Sequence, residues 1–172
     1  MARWSMPPPI KVYEAIGAIG DGRVRAVDND PARSAWEVGS SDGAKTYRVE
    51  VSADGREISS NDNASYWQGY LGYPAIAVLL IRGLYRPAAN VIDALAGIPW
   101  KEINRRFKND YEKTLAEVNR TVEASGHDPD AIASEVESVL TALRKLAPTR
   151  GKRRRPPSEA KPAGAKKASR KP

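Results

Sequence analysis

The side chains best suited to bind a ligand are cations near the C-terminal end of the sequence. Residues 150–172 hold ten lysines and arginines against one carboxylate, Glu159, whereas the first 149 residues hold 18 basic and 20 acidic side chains. Cations on an extended segment bind phosphates by releasing condensed counterions, so the affinity depends on salt rather than on base sequence. We therefore expect nucleic-acid binding by Arg150, Lys152, Arg153, Arg154, Arg155, Lys161, Lys166, Lys167, Arg170 and Lys171.

Such a tail has other uses, because it would also keep a protein in solution or bind acidic proteins or anionic lipid. Membrane attachment is disfavoured, since no amphipathic helix adjoins the tail. The most apolar stretch, residues 73–85, includes Arg82 and is shorter than the roughly 20 residues that cross a bilayer. The N-terminal residues contain no apolar run of the kind that secretory signals have. We expect a cytoplasmic protein that is not bound to a membrane.

A second basic group would extend this surface. Lys101, Arg105 and Lys108 have the spacing of side chains on one face of a helix, where they would form a stripe for phosphates. Glu102 and Asp110 lie among them, so an ordinary solvated helix face is the alternative.

Aromatic residues in a polar loop form a third group. Tyr66 and Tyr70 would stack on unpaired bases, as aromatic platforms in single-strand-binding proteins do. The alternative is that the loop aromatics, with Trp67 and Tyr73 among them, fill the interior of the loop.

The sequence offers little for catalysis. It has no cysteine, which excludes thiolate chemistry and disulfides, and its one histidine, His127, cannot supply a multi-histidine metal site. An enzyme acting on nucleic acid would need Asp28, Asp30 and Asp62 to meet at a divalent ion. We predict a non-enzymatic protein without metal or cofactor. The lack of cysteine, with a single Phe and a single Gln, is also typical of proteins from thermophiles.

Hydrophobic spacing predicts the N-terminal elements that position these groups. Val12, Ile16 and Ile19 are three and four residues apart, which predicts a helix over residues 10–20. Beyond it apolar residues alternate with polar ones, and this alternation predicts an antiparallel meander. Its strands are expected near residues 24–27, 36–38, 47–51 and 56–59.

Four helices are predicted to follow, beginning at Pro74, Pro87, Pro99 and Pro129. The third should run unbroken to about residue 124, because apolar residues recur along it every three or four positions. These residues are Ile103, Phe107, Tyr111, Leu115, Val118 and Val122. The last two helices should form an antiparallel hairpin within residues 99–147.

Residues 45–83 combine a strand reading TYRVEV, a turn, a short strand, a loop and a helix reading AIAVLL. This order and the helix phrase resemble a SWIM-type zinc finger. The resemblance places the four metal ligands of that family at Ser60, Asp62, Gly72 and Pro74, none of which is a soft zinc ligand. It implies a degenerate finger that has lost its metal and is held by packing and hydrogen bonds. SWIM modules bind nucleic acids and proteins, so a binding role is implied as well.

Taken together, the sequence predicts an α+β fold: a small antiparallel β-meander with an N-terminal helix and a C-terminal helical part ending in a helical hairpin. Residues 1–148 should form a single body. Residues 149–172 should form a disordered tail, because they have no large apolar side chains to offset the entropy of ordering. The predicted function is non-enzymatic nucleic-acid binding, with RNA, as in ribosome-associated proteins, slightly favoured over DNA. The alternative is a protein-interaction module that uses the hairpin.

Overall fold

A helix, a β-sheet and a group of helices follow one another along the chain and form the α+β fold that the sequence predicts. The computed structural model describes residues 2–158. The strands are β1 (Val24–Asn29), β2 (Arg33–Gly39), β3 (Thr46–Ser52), β4 (Glu57–Ser60) and β5 (Thr149–Arg150). The helices are α1 (Ile10–Gly20), α2 (Tyr73–Ile81), α3 (Ala89–Leu95), α4 (Trp100–Arg106), α5 (Tyr111–Ala124) and α6 (Pro129–Leu146), and a π-helix (Ala64–Gln68) lies between β4 and α2.

The first four strands form the antiparallel meander that the alternating pattern predicts. The turn between β3 and β4 includes Gly55 at a φ of 74°, a left-handed conformation that favours glycine. One face of the sheet carries apolar side chains that are fully buried in the core. These are Val38, Val49, Val51 and Ile58.

The chain remains part of the sheet beyond the predicted end of the body. β5 pairs in parallel with β4, placing Thr149 opposite Glu57. The amide of Gly151 then donates a hydrogen bond to the carbonyl oxygen of Ile58 at 2.8 Å. The predicted boundary is therefore too early, because strand addition uses backbone groups and leaves no pattern in the side chains. The disorder predicted for residues 159–172 lies outside the described residues.

The N-terminal residues pair with this last strand. The Trp4 amide donates to the carbonyl oxygen of Pro148 at 3.0 Å, and the Arg150 amide donates to that of Ala2 at 2.8 Å. The Trp4 indole donates to the carbonyl oxygen of Ile58 at 3.2 Å, and the guanidinium of Arg150 lies 5.0 Å from the centre of the Trp4 ring. Residues 2–4 therefore lie beside β5, which itself pairs with β4.

α1 is the centre of the core and packs against α2, α3 and α6. Residues 10–18 are all buried, including the charged Lys11 and Glu14. Gly17 permits close packing here, since a Cβ at this position would lie 2.7 Å from Nε1 of Trp100. The sequence predicts the bounds of this helix correctly. The hydrophobic spacing predicts one buried stripe on this helix, however, and does not predict that Lys11 and Glu14 are buried as well.

The predicted third helix is in fact two helices, α4 and α5. Lys108 and Asn109, between them, have φ values of 52° and 61°, which a right-handed helix cannot include. Asp110 then caps α5, its carboxylate accepting a hydrogen bond from the Lys113 amide at 3.3 Å. The prediction of one continuous helix is wrong because the apolar spacing is kept across the break. Asn109 and Asp110 are residue types suited to the left-handed and capping conformations.

α5 and α6 form the helical hairpin that the sequence predicts. Asp128 caps α6, its side chain accepting a hydrogen bond from the Asp130 amide at 2.9 Å. The buried face of α6 consists of Ile132, Val136, Val139, Leu140 and Leu143. Across residues 2–158, none of the helices combines the length and the apolar character that crossing a bilayer requires.

Candidate functional site

A buried carboxylate organises the loop between β4 and α2. Asp62 accepts hydrogen bonds from the hydroxyls of Ser60 and Ser65, at 2.5 and 2.6 Å, and from the Ser65 amide at 3.0 Å. The Ser65 hydroxyl in turn accepts a hydrogen bond from the Gly72 amide at 3.0 Å. A Cβ at Gly72 would overlap this carboxylate, since even its farther oxygen would be 2.9 Å away. We call these four residues the Asp62 cluster, and it ties together the two ends of the loop.

Three of the positions at which the resemblance places metal ligands meet in this cluster: Ser60, Asp62 and Gly72. The fourth, Pro74, lies in the first turn of α2. Asp28 and Asp30 are at the β1–β2 turn, and the described part of the chain brings no three Cys, His, Asp or Glu side chains together to hold a metal ion. Kinship with SWIM-type fingers stays a prediction.

The π-helix turns Trp67 to the solvent. This helix ends at Gly69, which has a φ of 74°. Trp67 is 68 % exposed and makes an edge-to-face contact with Tyr66, the ring centres lying 4.6 Å apart. The expectation that Trp67 fills the interior of the loop is therefore wrong. π-helices are often found at functional sites, because the wider turn redirects side chains that a regular helix would place elsewhere.

The first residues of the predicted tail lie against the π-helix and the sheet. The guanidinium of Arg153 lies 4.1 Å from the centre of the Tyr66 ring and donates to the Tyr66 carbonyl oxygen at 3.3 Å. Arg154 donates to the carboxylate of Glu50 at 2.8 Å. Burial alone would raise the pKa of Glu50, but hydrogen bonds from Arg48 and Arg154 hold this pKa below its ordinary value. These contacts fix the segment to the body.

The ten basic residues predicted to bind phosphates thus divide into three groups. Arg150, Arg153 and Arg154 hold contacts within the molecule. Lys152 and Arg155 are exposed, and their side chains form no hydrogen bond or ion pair with any other described residue. The remaining five lie outside the described residues: Lys161, Lys166, Lys167, Arg170 and Lys171.

A surface pocket of about 390 Å³ combines the exposed indole with one of these unpaired cations. Asn63, Tyr66, Trp67, Arg155 and Pro156 line it, and we call these five residues the Trp67 patch. An exposed ring beside an unpaired guanidinium can stack against a planar group and neutralise an anion next to it.

Asn63 also lines a second, more polar cleft of about 360 Å³ between α1 and α4, which we call the α1–α4 cleft. At its buried end the Lys11 ammonium lies 3.1 Å from the Glu14 carboxylate, to which the Asn104 amide donates at 2.8 Å. Burial lowers the pKa of Lys11, but the attraction of Glu14, its hydrogen bond and the neighbouring Tyr111 together outweigh burial and raise this pKa above its ordinary value. The side-chain oxygen of Asn104, Oδ1, is buried and has no partner among residues 2–158.

The predicted basic stripe is only partly assembled. Lys101 and Arg105 are on α4 and line the α1–α4 cleft. The Lys101 ammonium pairs with Asp42 at 3.0 Å, whereas Arg105 is exposed and has no partner in the described chain. Lys108 lies in the left-handed break after α4 and does not line the cleft. Its predicted position on the same helix face is wrong because the helix ends before it.

The two predicted stacking residues differ in their surroundings. Tyr66 belongs to the Trp67 patch. Tyr70 is half-buried and lines neither the patch nor the cleft; burial, followed by the neighbouring Tyr111, raises the pKa of its phenol. Sequence reasoning missed Trp67 as the exposed ring. Tryptophan is common in protein cores, so the residue type gives no sign of exposure. The hydrophobic pattern also does not reveal which side chain a π-helix turns to the solvent.

The described geometry therefore offers two neighbouring surfaces that share Asn63. Neither the curated proteins nor the solved structures include one that matches this chain. A family model does match residues 4–149, which is most of the chain and includes Asn63, Trp67 and Arg105. The chain belongs to the family described as uncharacterised conserved protein UCP014422.

Proposed function

We propose that this protein binds single-stranded nucleic acid, RNA in preference to DNA, and catalyses no reaction on it. The observation that carries the proposal is the exposed indole of Trp67 beside the unpaired guanidinium of Arg155. Every base presents a flat π face, and stacking on an aromatic side chain contributes about 1–3 kcal/mol per base. The preference for RNA rests on the composition of the C-terminal segment.

Trp67 contributes little to the core in its present position. Full burial of a large apolar side chain stabilises a fold by about 1.5–3 kcal/mol, and an indole that is 68 % exposed forgoes most of this. Tyr66, by contrast, is in contact with both Trp67 and Arg153. The pair therefore presents one fixed ring and one accessible ring to a ligand.

The charges around the patch suit a phosphate backbone. Lys152 and Arg155 are exposed and unpaired within residues 2–158, and the whole chain has a net charge of +7. Stacking would supply the part of the affinity that resists salt, and these cations the part that salt removes.

The proposal is tested by titrating fluorescein-labelled single strands of RNA and DNA, and the same sequences as duplexes, with the full chain. Trp67→Ala should weaken single-strand binding about 5- to 150-fold at every salt concentration, since it removes stacking. Replacing Lys152 and Arg155 by Gln should instead reduce the salt dependence of binding. A plot of the logarithm of the binding constant against the logarithm of the salt concentration should become shallower by about 0.7 for each cation removed.

Two control variants separate binding from folding. Trp67→Phe keeps a ring and should stay within a few-fold of the unaltered affinity. Arg120→Gln removes an exposed cation of α5, outside the patch, and should change neither affinity nor salt slope. Equal binding by the unaltered protein and by Trp67→Ala would contradict the role of the patch, and a lack of binding to any strand would refute the proposal.

The alternative function, protein docking on the hairpin α5–α6, stays a prediction. Across residues 2–158 the exposed large hydrophobic side chains are Met6, Val27, Trp67 and Ile81, and none of them belongs to α5 or α6. Protein interfaces are usually built around aromatic or aliphatic anchors, and α5 and α6 expose none among their described residues. Protein docking on the hairpin is therefore less well supported than nucleic-acid binding at the Trp67 patch.

A cytoplasmic location and kinship with SWIM-type zinc fingers belong to the same proposal. The first is supported by the absence of cysteine. The second is supported by the order of two strands, a loop and a helix, with the Asp62 cluster at the expected ligand positions.

A further inference from the structure

We infer that the α1–α4 cleft is a specificity pocket for one nucleotide, whose base is read by amide and hydroxyl groups and whose phosphate is held by Arg105. The inference deepens the proposed function and rests on it for the source of the nucleotide. It turns a protein that binds any single strand into one that prefers a particular base at one position.

The charges of the cleft leave room for one anion. Three of its four cations are matched by carboxylates at 3.0–3.1 Å, in the pairs Lys11–Glu14, Arg23–Asp21 and Lys101–Asp42. Arg105 also lines the cleft and has no such partner in the described chain. The remaining carboxylate of the lining, Asp62, is occupied by hydrogen bonds from Ser60 and Ser65 and pairs with none of the cations. A single phosphate would complete its pairing, whereas a highly charged ligand would have to displace existing ion pairs.

The residues that line the cleft include neutral polar side chains that form no hydrogen bond within the described chain. Asn63, Asn109 and Tyr47 line it, and their side-chain amides and hydroxyl form no hydrogen bond with another described residue. An asparagine amide carries a donor and an acceptor side by side, which is the arrangement that reads the edge of a base. Burial, aided by Asp62 and Asp42, raises the pKa of Tyr47, so its hydroxyl keeps its proton and can donate.

The walls and size of the cleft fit a planar ring. Tyr47 and Tyr73 meet edge to face with their centres 6.2 Å apart, and Trp100 lines the cleft as well. The volume of about 360 Å³ falls in the range of about 300–1,000 Å³ that small-ligand clefts occupy. Aromatic walls with a few polar groups are the usual composition of such sites.

Two further observations place this pocket beside the Trp67 patch and give it a fixed rim. Asn63 lines both surfaces, so consecutive nucleotides of one strand can occupy them. Asn109 is held at a φ of 61°, a left-handed conformation that costs energy for residues other than glycine and is concentrated at functional sites.

Calorimetric titration of the full chain with the four nucleoside 5′-monophosphates, and with the corresponding nucleosides, tests the inference. One base should bind about tenfold or more tightly than the others. The double variant Asn63→Ala, Asn109→Gly should reduce this preference to less than about twofold. Both residues are exposed, and glycine accepts the conformation at 109, so the variant should fold, as thermal unfolding will show.

Arg105→Gln should weaken binding of the monophosphates but not of the nucleosides. Arg120→Gln, which alters an exposed residue of α5 outside both the cleft and the Trp67 patch, should leave both unchanged. Equal affinity for all four bases, absence of mononucleotide binding at millimolar concentration, or loss of the preference in Arg120→Gln would each overturn the inference.

These outcomes separate the inference from the proposed function. If mononucleotides bind with a base preference while single strands do not bind, the cleft is a nucleotide site and the proposed strand binding fails. If single strands bind through Trp67 while no mononucleotide binds, the proposed function stands and the pocket is refuted.

Discussion

Gly72→Ala tests whether the Asp62 cluster holds the loop that carries Trp67. Gly72 has φ −70° and ψ 169°, a conformation open to any residue, so the obstacle to a methyl group is purely steric. A Cβ there overlaps the Asp62 carboxylate. The carboxylate would have to leave, and its three hydrogen bonds with Ser60 and Ser65 would be lost.

The size of the effect follows from these bonds. A hydrogen bond to a charged group contributes about 1.5–3 kcal/mol, so the three that Asp62 accepts sum to about 4.5–9 kcal/mol. Asp62→Ala also removes the cost of burying the carboxylate, so it should lower the free energy of unfolding by about 3–5 kcal/mol. Gly72→Ala should cost about 3 kcal/mol, since it expels the same carboxylate. Once Asp62 is alanine the obstacle is gone, and Gly72→Ala should then cost less than about 1 kcal/mol. The coupling between the two substitutions is therefore about 2–3 kcal/mol.

Urea unfolding followed by circular dichroism measures all four proteins of this double-mutant cycle. Gly39→Ala is the matched control, because the nearest atom to its new Cβ would be the Cβ of Arg23 at 3.8 Å, an ordinary contact. The control should change the free energy of unfolding by less than about 1 kcal/mol. If Gly72→Ala costs the same with and without the Asp62 carboxylate, the reasoning is refuted.

Two further predictions concern the C-terminal segment. A protein truncated after residue 148 should have a free energy of unfolding about 2 kcal/mol lower than one truncated after residue 158, because the hydrogen bonds of β5 and Gly151 are lost. Equal urea midpoints for the two proteins would contradict the docking of this segment. Glu50→Gln should lower the free energy of unfolding at neutral pH. The gap in stability between the variant and the unaltered protein should narrow as the pH falls below 4.5, the ordinary pKa of a glutamate. The pKa of Glu50 is lowered in the folded state, so the stabilisation it gives with Arg154 is present above the unfolded value and lost as the pH falls through the folded one. A gap that stays constant from neutral pH to about pH 3, in the same urea assay, would argue against this ion pair.

The sequence predicts those elements whose burial is periodic. α1 has its predicted bounds because its apolar residues recur every three or four positions, and the meander is confirmed because strands with one buried face alternate. The helix break at Lys108 and Asn109 was not predicted, since the apolar stripe continues across it. A pattern that records which side chains are buried does not record the sign of φ.

The candidate site was less predictable, because it depends on contacts between distant segments. The cations of the C-terminal segment were identified, but not that Arg153 and Arg154 would hold it on Tyr66 and Glu50. Such contacts join residues about 90 or more positions apart, and no local spacing encodes them. The α1–α4 cleft was missed for the same reason, as its lining comes from helices, strands and turns throughout the body.

The pairing of β5 with β4 and with the N-terminal residues determines when the protein can finish folding during synthesis. β4 is made early, but its partner β5 is made only after α6, and the carbonyl group of Ala2 has no partner in β5 until then. Until then β4 keeps a row of unpaired backbone groups along one edge, which is a template for association with other strands. Every incompletely synthesised chain therefore has an unpaired edge at β4 that β5 covers in the complete protein. Proteolytic removal of the last strand from a mature molecule would expose this edge again.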